Sequence, residues 1–160
     1  MYIGDIYLTR NTEEVGNDTR GFWNHAAIVS RRLTVIEAQM EPNAVIEVDM
    51  KSFRDRYPEW IRLNTGNKKV QEMMAIYADR LVGNPYRRLM SVWRRTNLSS
   101  ARGENCVSVV RKCFKYATGR DPMWMLPDDI AKSRYLVKRY HKKDYRNWRK
   151  PRSWFQGRIR

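Results

Sequence analysis

The chain has 160 residues, 42% of them apolar and 31% charged, with a net charge of +15. That is enough for one domain with its own hydrophobic core, and the composition excludes a disordered polymer. No run approaches the ~18 consecutive apolar residues of a membrane span, and MYIGDIYLTR has no basic region followed by an apolar run, so a secretory signal is not expected.

In chain order, residues 2–9 alternate as a strand, and 10–21, with Gly16, Asn17, Asp18 and Gly21, read as an exposed loop. Two β-rich runs follow, 22–30 (FWNHAAIVS) and 33–39 (LTVIEAQ), with Arg31 and Arg32 at the turn of a hairpin. Further strands are predicted at 44–50 (AVIEVDM) and, after the Tyr57-Pro58 break, at 60–64 (WIRLN), joined by solvated connections. From Asn67 the period changes. Val70, Met73, Met74, Tyr77, Ala78 and Leu81 mark one apolar helix face, capped by Asn67 and ended near Gly83. A second helix fits 104–118, with Val107, Val110, Cys113, Phe114 and Ala117 facing one way and Gly119 closing it. Residues 119–127 form a loop and 128–133 a short helix. From Lys132 onward no apolar period is visible. Strands first and helices after predict an α+β architecture, with helices packed on an antiparallel sheet.

The charge is uneven. Residues 132–160 hold 12 Lys or Arg against one acid, Asp144, which leaves only +4 for the preceding 131 residues. The chain therefore divides into a nearly balanced domain, 1–133, and a basic, aromatic-rich arm, 134–160. The two cysteines, Cys106 and Cys113, are seven apart on one predicted helix. Their Cα atoms would be ~10 Å apart, too far for a disulfide, so both are expected as thiols. With two histidines and no Cys-x-x-Cys pair, the sequence offers no structural zinc site. No cofactor is called for.

His25 lies inside an apolar strand, where alternation puts it on the face of Trp23, Ala27 and Val29. Glu37 lies on the neighbouring strand, and a tight turn brings it near His25, on the same face if the register cooperates. A carboxylate beside an imidazole fixes the ring and favours the imidazolium. Cys106 falls in the first turn of a helix, where unpaired amides and a nearby imidazolium favour thiolate, the reactive form. Those amides are also suited to an oxyanion. Each residue has a plainer reading: Cys106 and Cys113 as small core side chains, His25 as a hydrogen-bonded structural residue, Glu37 as a solvent-facing acid.

Order and context add to this. Gly4–Ile6 (GDI), WNHAAIV at 23–29, VIEA at 35–38, GNPY at 83–86, NCVSVV at 105–110 and LPDDIAKS at 126–133 follow one another with characteristic spacing. Over residues 3–133 the chain resembles the permuted NlpC-type papain-like hydrolases, including YiiX/YaeF-like proteins and, more distantly, the lecithin:retinol acyltransferase family. The resemblance implies an antiparallel sheet or small barrel packed with helices. It implies a triad in permuted order, with His25 as general base and Glu37 as its orienter preceding the nucleophile Cys106. Tyr86 would then lie beside the nucleophile and help hold the acyl oxygen; as a turn residue it equally suits packing on the core. Val107 and Ser108 stand where the family commonly has Ser-Glu or a similar polar pair, so substrate choice and activity are where this chain departs.

The implied activity is that of a cysteine peptidase or amidase-type hydrolase, or an acyltransferase. It would act on an amide or ester, such as a peptidoglycan peptide or a lipid-like acyl group. The rival expectation is an idle papain-like domain serving as a structural component of a larger assembly. A strongly basic protein without a leader fits the cytoplasm, or a bacteriophage particle as a virion component.

In the arm, Lys138, Arg139, Lys142, Lys143, Arg146, Arg149, Lys150 and Arg152 are interleaved with Tyr135, Tyr140, Tyr145, Trp148, Trp154 and Phe155. Such a segment suits packing on its own domain or docking to protein, nucleic acid through phosphates and stacking, or an anionic lipid or cell-wall polymer. No recognised nucleic-acid motif is present.

Overall fold

The computed structural model describes residues 1–10, 22–87 and 103–139. Its centre is β1 (Ile6–Arg10), flanked by β2 (His25–Val29) and β5 (Glu59–Asn64). With β3 (Val35–Gln39), β4 (Ala44–Val48) and β6 (Val137–Arg139) these form a sheet in the order β4-β3-β2-β1-β5-β6, antiparallel at every pairing.

Register sorts the side chains by face. Ile6 pairs with Ile28 and Leu63, Leu8 with Ala26 and Ile61, Ile28 with Ile36, and Ala38 with Val45. All of these are buried in the larger core. The helices α2 (Lys68–Leu81) and α3 (Cys106–Thr118) cover that face and pack on one another, burying Met74, Ala78, Val109, Val110 and Cys113. Tyr7, Ala27, Val29 and Val35 point the other way, into a smaller core closed by Phe53 and Tyr57 at α1 (Met50–Arg56). Period-two alternation on each strand thus feeds two separate cores.

The helix α1 departs from the expected order of strands first and helices after. It has one buried apolar residue, Phe53, so no helical period marks it. It forms because Asp49 caps its start, accepting from the Ser52 amide at 2.9 Å, and because Arg54 and Arg56 suit its last turn. The strand predicted over 44–50 accordingly stops at Val48. Local chemistry fixed two of the other helix ends as expected. Asn67 caps α2 through the Lys69 and Val70 amides, and Gly119 closes α3 at φ +70°. The short helix α4 (Pro127–Ala131) begins with proline at its first position. Residues 134–139, assigned to the arm from composition, bury Leu136 in the larger core and add β6 beside β5.

Two glycines are fixed by space. A Cβ on Gly4, at φ +73°, would lie 2.1 Å from the Gln71 carbonyl oxygen, so this residue lets the entry to β1 press against α2. A Cβ on Gly103, at φ +130°, would lie 3.0 Å from Arg87 Cβ and 3.1 Å from the Pro85 carbonyl. No helix among the described residues is long and apolar enough to cross a membrane.

Candidate active site

The site assembles at the start of β2. Two backbone amides before it, Phe22 and Trp23, donate to the Asp128 carboxylate at 3.1 and 2.8 Å, and the Asn24 amide donates to the Thr9 carbonyl at 3.1 Å. Asp128 belongs to the Leu126-Pro127-Asp128-Asp129 segment, so this motif anchors the approach to His25. The regular strand begins only at His25. Trp23 therefore escapes the alternation expected of it and packs in the larger core with Cys106, rather than on the face of Ala27.

Glu37 pairs with Ala27, one same-face step beyond His25. This diagonal offset lets the side chains meet: His25 Nε2 and Glu37 Oε2 are 2.7 Å apart. Glu37 is fully buried, and its other oxygen accepts from Arg56 Nη2. Tyr57 stacks on the imidazole with centroids 5.1 Å apart and planes at 23°, and its hydroxyl accepts from Gln39 Nε2 at 2.8 Å. Sequence reasoning missed Arg56, Tyr57 and Gln39. The one available signal was the Asp49 cap ahead of Tyr57-Pro58.

Cys106 is the first residue of α3. Asn105 caps the helix by accepting from the Ser108 amide at 2.8 Å, while Ser108 Oγ accepts from the Asn105 amide at 2.8 Å. Ser108 Oγ also donates to Glu104 at 2.6 Å, and Glu104, itself buried, pairs with Lys112. The strand-like segment Gly83–Tyr86 ties this helix start to the sheet. Gly83 and Asn84 bond to Val45 on β4, and Tyr86 and Glu104 form a parallel bridge. Tyr86 is half-buried against the core that contains Cys106.

Cys106 neighbours the His25 ring and is the side chain that most favours its charged form. Since Nε2 faces Glu37, Nδ1 is the nitrogen left for sulfur. The ring sits at the seam of the two cores, taking Glu37 and Tyr57 from one side and Cys106 from the other. Burial disfavours its charged form, but Cys106 and then the bond to Glu37 outweigh this and hold its pKa well above the usual imidazole value. Burial likewise pushes the Glu37 carboxyl up, but the His25 bond, the imidazole charge and Arg56 bring it below the usual range. Cys113 is a fully buried thiol whose pKa burial drives far up, and both cysteines are free.

The structure thus brings His25, Glu37 and Cys106 together, with Tyr86 packed nearby. Lys138 and Arg139 lie in β6; Lys142, Lys143, Arg146, Arg149, Lys150 and Arg152 lie outside the described residues. Among the described residues, no group of three or more His, Cys, Asp or Glu side chains is gathered to hold a metal ion.

No family model matches the chain, and no curated protein matches it in sequence. Among solved structures it is similar to that of the metalloprotein yiiX from Escherichia coli O157:H7. The TM-score is 0.66 and the identity 16%, over 88% of this chain and 97% of that one. The chain has the fold of yiiX.

Proposed function

We propose that the chain is a cysteine hydrolase or acyltransferase of the permuted papain-like type, acting on an amide or ester bond through Cys106, His25 and Glu37. The observation that supports it is a single imidazole bonded to a buried carboxylate and set beside a thiol at the first residue of a helix. In this reaction the Cys106 thiolate attacks the carbonyl carbon, forming a C–S bond while the carbonyl electrons move to oxygen. Collapse expels the leaving amine or alcohol, which takes the proton held by His25. Water or another acceptor then attacks the thioester carbonyl, giving its proton back to His25, and collapse breaks the C–S bond, releasing the acyl product and returning the Cys106 thiolate. Glu37 orients the ring, and Tyr86 stands beside the acyl oxygen.

The yiiX protein is described as a metalloprotein. The donor set here does not fit a metal. Glu37 already spends its oxygens on His25 and Arg56, and a guanidinium at the carboxylate opposes a second cation. The proposed chemistry uses the thiol and imidazole alone.

Iodoacetamide labelling at about neutral pH, read by mass spectrometry, tests the reading. Cys106 should react and buried Cys113 should not, and His25→Ala should slow Cys106 labelling by about tenfold or more. An unreactive Cys106, or a rate indifferent to His25, ends the proposal. A peptidoglycan peptide is the first substrate to assay.

A second reading, an idle domain docked into a larger assembly such as a phage particle, is favoured by two observations. Cys106 is only 6% exposed, and Ser108, at the position where the family carries polar residues, spends its hydroxyl on Asn105 and Glu104. Docking would fall to the basic arm. Removing residues 140–160 keeps β6 intact and should abolish salt-dependent DNA binding if the arm contacts nucleic acid; unchanged affinity leaves a protein or anionic polymer as its partner.

A further inference from the structure

The proposed triad leaves one contact at its centre without a task. Arg56 approaches Glu37 from the last turn of α1, on the oxygen that His25 does not use. The next residue, Tyr57, lies flat against the imidazole and is held by Gln39. One helix end therefore delivers a cation to the carboxylate and a ring to the base. The groups facing His25 are Glu37 from β3, Tyr57 with Arg56 behind the carboxylate from the end of α1, and Cys106 from α3.

Glu37 is fully buried, so its carboxylate is shared between His25 and Arg56 with little help from water. The geometry points to Arg56 as a positioning residue that limits how tightly the His25–Glu37 pair holds its proton. Two effects of Arg56 act in the same sense. Its charge repels an imidazolium, and it stabilises an ionised carboxylate. Both disfavour the proton wherever in the pair it resides, so the sign does not depend on assigning it to one residue. A guanidinium keeps its charge across the working range, so the restraint is constant with pH. For the proposed catalyst, this keeps the base able to release its proton to the leaving group in the first half of the cycle. The inference deepens the reading of His25 as general base, but its test does not require turnover.

The test is a proton NMR titration of His25 in the full-length protein, with His25→Ala used to separate its resonance from that of His141. Arg56→Gln should move the His25 midpoint to higher pH by about one pH unit or more. Arg56→Lys, which keeps the charge, should return it toward the wild-type value. Arg56→Met, which fills the space of the aliphatic stem, serves as a second charge-removing variant for the same titration should Arg56→Gln unfold. A midpoint that stays put or moves to lower pH in the charge-removing variant overturns the inference. Cys106 alkylation is measured alongside in the same variants. An inert Cys106 with a displaced His25 midpoint would remove the nucleophile while leaving the role of Arg56 in place.

Discussion

Two carboxylates are fully buried here, Asp5 just before β1 and Glu37 on β3, and their environments push them in opposite directions. At Asp5 burial wins. Its partners are the Tyr2 amide at 2.8 Å, Gln71 Nε2 at 3.1 Å and Arg62 at 3.6 Å, and its pKa rises above the usual carboxylate value. At Glu37, His25 and Arg56 bond the carboxylate directly, and the pKa falls. The directions differ because direct contact with His25 and Arg56 outweighs desolvation at Glu37, whereas the more distant Arg62 does not outweigh it at Asp5. The difference also separates roles: Asp5 serves the fold beside Gly4, whereas Glu37 is kept charged for a neighbour.

The largest expected effect of breaking this comparison is at Glu37. Glu37→Gln leaves His25 and Arg56 facing no charge, and urea denaturation near neutral pH should show a loss of roughly 3 kcal/mol. The sign follows from both partners. A depressed Glu37 contributes stability above its ordinary value of 4.5, lost as pH falls through the folded value. A raised His25 contributes stability below 6.5, lost as pH rises through its folded value. The gap between wild type and variant should therefore be widest in between and close toward both extremes.

Next comes Asp128→Ala, which removes the acceptor of two backbone amides ahead of His25. A loss of about 2 kcal/mol is expected, together with slower Cys106 alkylation because the ring loses its anchor. Asn105→Ala should cost about 1 kcal/mol through the α3 cap, seen as a lower thermal midpoint. The smallest effect is expected for Asp5→Asn, below about 1 kcal/mol near neutral pH. A raised acid gives its full contribution below 3.8 and loses it as pH rises through the folded value, so the variant should compare better at pH 7 than at about pH 4. A larger loss at pH 7 would show that Asp5 is paired as effectively as Glu37.

What was legible in the sequence was local. Asn67 and Gly119 announced helix ends because a cap needs only the next few residues. The hairpin was legible because alternation runs on both sides of Arg31–Arg32, and this brought Glu37 near His25. Whether the two would share a face depended on register, which the Ala27–Glu37 pairing decides. Arg56 and Tyr57 were invisible because they arrive by tertiary packing, on a helix too short to show a period. The partners of Ser108 were equally hidden: a serine two residues after a cysteine looks like site polarity until Asn105 and Glu104 claim its hydroxyl. Composition marked 134–139 as arm because charge masks Leu136 and a strand of only three residues.

The Gly83–Tyr86 segment has a further consequence for the protein in company. An outermost strand with open amides and carbonyls is a template on which another chain can add itself. On β4, the Val45 amide already donates to the Asn84 carbonyl and its own carbonyl accepts from the Gly83 amide, at 2.8 and 2.9 Å. The same short stretch that braces the start of α3 thereby denies a stranger the Val45 position of that strand, so protection of the edge and assembly of the site rest on the same few backbone bonds.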